Sequence, residues 1–178
     1  MKHLIVARLS EDDSWTQRVP EHWNVLLVQK GRDLDNAGRE GSSFHWGLER
    51  LYPELHPEDV VACVQGWPFD HCPSLFRELE RAMVFPFRWL GGPPLHSDEQ
   101  GLPHDIGLDV RGCYERWTGR EWPGSVTFAA GGQFMVEGGS VLFKPREQYA
   151  SMIEDVARGR NAWAMERLWR EFFREAEL

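Results

Sequence analysis

The sequence predicts a single-domain α/β fold, a sheet flanked by helices with one long Trp/Pro/Gly-rich loop, and three observations carry that reading. Short runs of Leu, Ile and Val at 2–7, 24–29 and 59–66 are bounded by polar or turn residues, the pattern of strands buried on both faces. Segments with helical spacing alternate with them. The chain of 178 residues, 42% hydrophobic, can fill one core and is short for two ordinary domains.

The elements follow in order. "KHLIVA" forms the first strand, and "EDDSWTQRVPEHW" leaves room for a short helix and a loop before "NVLLVQ" forms the second. "NAGREGSSF" then leads into a helix that Ser42 or Ser43 can cap, with Phe44, Leu48 and Leu51 on one face and Pro53 as its stop. "DVVACVQG" is the third strand. Strand, helix, strand, helix, strand argues for right-handed crossovers within one sheet. A further helix is expected from Pro73 to about Met83, with Leu75, Phe76 and Leu79 apolar.

Residues 85–123, rich in Gly, Pro, Trp and His, read as a long functional loop with little regular structure. "SVTFAAGGQFMVEGGSVLF" reads as two or three short strands broken by glycine pairs. Pro145 suits the first position of a helix carrying Tyr149, Met152, Ile153 and Val156. Asn161 can cap a last helix whose stripe is Met165, Leu168, Trp169 and Phe172.

A net charge of -8 argues against an unspecific grip on a nucleic-acid backbone, which needs a field of Lys and Arg. Three cysteines, Cys63, Cys72 and Cys113, are odd in number and lack zinc-type spacing, so neither a disulfide framework nor a Cys-based metal site is expected. No apolar run approaches the length of a membrane span, and the opening one is too short for a signal segment. A soluble, cytoplasmic protein is the expectation. Most of the nine Trp and ten Phe belong to a core, with some left to stack on a flat ligand.

In open α/β sheets ligands bind at the carboxyl ends of the strands. Arg8 and Glu11 follow strand one; Lys30, Asn36, Arg39 and Glu40 follow strand two; Gln65, Trp67, Asp70 and His71 follow strand three. Arg39 and Glu40 also fit a solvated charge pair, and Asp70 a helix cap. The glycines around Arg39, with a helix N-terminus directly behind, favour an anion such as phosphate. Neither a P-loop nor a dinucleotide fingerprint is present.

Further along, "GLPHDIG" offers His104 and Asp105 as acceptor-side groups or plain turn residues, and "AAGGQF" puts two glycines, including Gly132, before Gln133, allowing close backbone approach. Glu166 has two readings: an i,i+4 ion pair with Arg170, or a partly buried carboxylate with a raised pKa suited to general-base work.

The ordered set "VARLSEDDSW", "NAGREGSSFHW", "VVACVQGWPFDH", "GLPHDIG", "AAGGQFMV" and "MERLW" resembles a family defined only as a domain of unknown function, whose members are similar to GT-A type glycosyltransferases. The likeness covers nearly the whole chain. It implies a Rossmann-like, GT-A-like mixed sheet over residues 1–178, with a nucleotide-binding half (1–84) and an acceptor-side half (85–178). It further implies a nucleotide-sugar donor, held by Ala7, Arg8 and Glu11 at the nucleoside and by Asn36, Arg39 and Glu40 near the base and phosphates. The acceptor is left open as a glycan, small molecule, protein or modified nucleic acid.

Where GT-A enzymes carry an Asp-x-Asp metal motif, this chain reads Gln65-Gly66-Trp67. Asp70 and His71 could supply one or two ligands to Mn²⁺ or Mg²⁺. Alternatively the reaction is metal-independent, with Arg8, Lys30 or Arg39 neutralising the leaving diphosphate. Glu166 or Asp105 would take the acceptor proton. The rival class is a non-catalytic module that binds carbohydrate or protein through the Trp-rich loop.

Overall fold

A computed structural model describes residues 1–81, 86–103 and 105–174. It is a mixed α/β structure in which a five-stranded sheet runs in the order β2-β1-β3-β7-β4. The parallel centre is β1 (Lys2–Arg8), β2 (Trp23–Gln29) and β3 (Val60–Gln65), with β1 paired on both sides. Helix α1 (Arg39–Leu51) crosses from β2 to β3, and α2 (Leu75–Glu80) follows β3. The expected alternation through the first half is therefore present.

Burial explains the continuous apolar runs. Ile5 and Ala7 of β1 face one core with Val61 and Cys63 of β3, while Leu4 and Val6 face the other with Val60, Ala62 and Val64. A strand covered on both faces has no polar side to display. The first core is built against α1 and the C-terminal helices, through Phe44, Leu48, Tyr149, Met165, Leu168 and Trp169.

The second half departs from expectation. Residues 85–123, of which 85 and 104 lie outside the described residues, are not a structureless loop. They contain β4 (Phe87–Trp89), β5 (Leu95–Ser97) and α3 (Val110–Thr118), the last capped by Asp109, whose carboxylate accepts the Gly112 N–H at 2.9 Å. β4 pairs antiparallel with β7 (Phe134–Glu137), which pairs antiparallel with β3, so the sheet is mixed. β5 forms a separate antiparallel pair with β6 (Val126–Phe128).

Several boundaries also move. "GGSVL", read as strand, is the short helix α4 (Gly138–Leu142). The α1 cap is Gly38 rather than Ser42 or Ser43, which lie inside the helix; the Ser42 hydroxyl instead donates to the Ala37 carbonyl at 2.6 Å. α5 (Arg146–Ala157) starts one residue after Pro145, and α6 (Asn161–Phe173) includes Asn161, whose amide donates back to the Asp155 carbonyl. The expected end of α2 near Met83 lies outside the described residues.

Candidate functional site

The carboxyl ends of β1, β2 and β3 open into one cleft of ≈ 400 Å³ lined by Ala7, Arg8, Leu9, Glu11, Lys30, Asn36, Arg39, Glu40, Gln65, Trp67 and Asp70. The parallel register of the three strands brings these ends together: Arg8 is level with Gln29, and Ala7 with Gln65. Leu9, 43% exposed at the rim, is a lining residue that strand-end reasoning passed over, because nothing in its type signals a site.

On the β2 side the cleft is cationic. Lys30 is buried, and its ammonium donates to the Ala37 carbonyl at 2.6 Å. Burial lowers the Lys30 pKa to about 8; Arg39 acts in the same direction, while Glu40 and Glu11 oppose it. Arg39 begins α1 with φ 48°, the sole non-glycine with positive φ among the described residues. A side chain held in that sparsely populated region needs surrounding structure to fix it. Gly38 behind it has φ 71°, and a Cβ there would lie 2.9 Å from Ser42 Cβ and 3.1 Å from Ala157 Cα. The Arg39 guanidinium lies 5.1 Å from the Trp163 ring centroid, and its Nε is 3.5 Å from Glu40 Oε2. The Arg39–Glu40 pair of the sequence reading thus exists, but Glu40 is mostly buried and both line the cleft.

Arg8 is ion-paired with Asp13. Glu11 folds over the strand ends, its Oε2 accepting the Leu9 N–H at 2.6 Å and the Ser10 N–H at 3.0 Å. Partial burial works against ionisation of Glu11, yet these backbone amides hold its pKa below the usual carboxylate range.

The β3 side is aromatic and acidic. Trp67 is 45% exposed, and the Asp70 carboxylate has no protein partner among the described residues. His71 is not among the cleft-lining residues; its ring packs against Gly131, where a Cβ would come 2.4 Å from the imidazole Cγ. Among the described residues no group of three or more His, Cys, Asp or Glu is placed to hold a metal ion. One exposed carboxylate beside a packed imidazole is a poor donor set for Mg²⁺ or Mn²⁺, so Asp70 and His71 do not fit such a centre.

Glu166 stands next to the cleft on α6. Its Oε1 accepts the Gly131 N–H at 2.7 Å, so its partner is this amide rather than Arg170. Glu166 Cγ and Glu40 Oε1 both lie within 4 Å of the place a Cβ would take on Gly132. Burial raises the Glu166 pKa and Glu40 adds to the rise, while the Gly131 amide, Arg167 and Arg39 pull it down.

Gln133 is fully buried and serves as a brace: its Oε1 accepts the Gln65 N–H and its Nε2 donates to the Pro68 carbonyl, each at 3.1 Å. Asp105 is not among the cleft-lining residues; its carboxylate pairs with Arg160 and with the buried Arg167, each at 3.3 Å. His104 lies outside the described residues.

Fold and cleft together define an α/β protein with a mixed-charge cleft at the carboxyl edge of a parallel strand trio. No protein-family model, curated protein or solved structure matches the chain. No helix among the described residues is long and apolar enough to cross a membrane.

Proposed function

We propose that the protein is a glycosyltransferase-like enzyme that moves a sugar from a nucleotide-sugar donor to a hydroxyl acceptor. The observation that supports this reading is the charge layout of one cleft: Lys30, Arg39 and the start of α1 on one side, with the raised carboxylate Glu166 close by. Cations and helix amides suit a diphosphate. A carboxylate with an elevated pKa suits proton removal near neutral pH.

In this reaction Glu166 Oε2, which the Gly131 bond leaves open, takes the acceptor hydroxyl proton. The acceptor oxygen forms a bond to the anomeric carbon as the bond from that carbon to the phosphate oxygen breaks. The electron pair leaves on the diphosphate, where Lys30 and Arg39 meet the charge. No step is routed through a metal, since the residues present do not fit one.

The test is a thermal-shift titration with UDP-, GDP- and TDP-sugars, followed by an assay for donor hydrolysis. Stabilisation by one donor class together with slow transfer to water is the expected result. No response to any nucleotide overturns the reading. Binding without turnover leaves a binding module instead.

A further inference from the structure

Trp67 is a large aromatic side chain left 45% exposed at the cleft although the chain buries most of its tryptophan surface. It is not loosely placed. Its ring packs edge-on against Phe69 at 4.9 Å and 73°, and Phe69 packs on Trp15 and Phe76, each at 5.6 Å. The Trp15 Nε1–H donates to the Gly66 carbonyl at 2.8 Å, and Gln133 Nε2 holds the Pro68 carbonyl. The peptide before Trp67 and the peptide after Pro68 are thereby pinned, and the indole is presented on an aromatic ladder.

The groups beside that face are acceptors. Asp70 is exposed with no protein partner among the described residues, and Glu11 lines the same cleft using only Oε2 in its backbone bonds. A half-exposed indole that shares its cleft with carboxylates matches a ring that is apolar on one face and rimmed by hydroxyl donors. That is a neutral pyranose; an anionic ring would be repelled by the two carboxylates. Arg8 lies beside Glu11 in this corner but is ion-paired with Asp13, while Lys30 and Arg39 line the β2 side of the cleft.

Position relative to Glu166 follows from one residue, Gly131. The Gln65 Nε2–H donates to the Gly131 carbonyl at 3.1 Å while the Gly131 N–H donates to Glu166 at 2.7 Å. The strand end that leads to Trp67 and the Glu166 carboxylate are thus both bound to one residue, through its two successive peptide groups.

We infer that Trp67, with Asp70 and Glu11, forms a pyranose-stacking subsite, so that the acceptor is a carbohydrate. This rests on the transferase reading for the word acceptor, but the subsite itself does not. The test is calorimetric titration of the full chain with methyl glycosides and common disaccharides, with and without UDP, GDP or TDP, for wild type, Trp67→Ala and Trp67→Phe.

A saccharide is expected to bind wild type, to weaken about tenfold or more in Trp67→Ala, and to be largely retained in Trp67→Phe, on the scale of one stacking contact. Nucleotide binding is expected to be unchanged by either variant, which also shows that both are folded. If no saccharide binds under any condition, or if Trp67→Ala weakens the nucleotide and spares the saccharide, the inference fails. Saccharide binding with no nucleotide response would keep the subsite and remove the transferase reading.

Discussion

The Gly131 amide, in the turn before β7, donates to Glu166 of α6, and the His71 ring packs against the same glycine. A glycine is required there twice over, by φ 87° and by the imidazole that occupies the space of a Cβ. One residue therefore sets both the carboxylate proposed as base and the loop that follows β3.

Replacing Glu166 by Gln keeps the Gly131 hydrogen bond and removes the base. Transfer is expected to slow by about 10²–10⁴-fold with donor affinity preserved, read from steady-state kinetics. The sign of the stability effect is opposite. A carboxyl whose folded pKa is raised contributes stability that is present below its unfolded value and is lost as pH rises through the folded one. Glu166→Gln should therefore be slower yet more stable at neutral pH, and wild-type turnover should rise with pH through the Glu166 titration.

Arg39→Ala removes a guanidinium from the cationic side of the cleft. Nucleotide diphosphate binding is expected to weaken by about 1.5–3 kcal/mol, the range for a hydrogen bond to a charged group. Calorimetry against Arg32→Ala, an arginine after β2 that pairs with Asp33 and is not among the cleft-lining residues, isolates the site effect.

Lys30 gives a pH signature. With its pKa lowered to about 8 by burial, the ammonium needed to hold an anion is lost as pH rises past that value. Diphosphate affinity should fall between pH 7 and 9 in wild type and stay flat in Lys30→Met. Stability runs the other way: the unfolded lysine holds its proton longer, so folding gains as pH rises from about 8 toward 10.5. Urea midpoints across that range check the sign.

How far such a site was legible follows from particular residues. Strand-end position alone grouped Arg8, Lys30, Arg39, Gln65, Trp67 and Asp70, because parallel strands in register must bring their ends together. Trp163 beneath Arg39 was not legible, since it arrives through packing of α6 against α1. β4 is three residues whose partner lies far along the chain, and no local pattern announces such pairing. "GGSVL" carries strand-like residues, yet a Cβ on Gly138 would fall 2.0 Å from the His56 carbonyl oxygen, and the chain turns there into α4. The α3 cap Asp109 was readable, but Gly112 inside the helix weakened its pattern.

Gly131→Ala tests the close approach directly. The substitution meets both backbone strain and the His71 ring, and a loss of about 1–3 kcal/mol is expected from urea unfolding. Gly124 has a similar φ of 91° with nothing within 4 Å of a Cβ, so Gly124→Ala carries the strain alone. The difference between the two variants measures the His71 contact; equal losses would show that the ring simply moves aside.

His45 of α1 lies in the core against α5 and α6. It is fully buried, 4.8 Å from the Trp169 ring and 5.2 Å from Phe172, and neither ring nitrogen has a hydrogen-bond partner. Burial drives its pKa down to about 3. The unfolded imidazole protonates near 6.5 and the folded one resists, so stability present above 6.5 is lost as pH falls toward about 3. The slope approaches about 1.4 kcal/mol per pH unit from this one group. His3 is also buried with a lowered pKa, so wild type alone does not separate the two. His45→Met fills the site without a titrating group, and its urea midpoint should fall less than that of wild type between pH 7 and 5. Equal acid sensitivity in both proteins would place the effect on His3 instead.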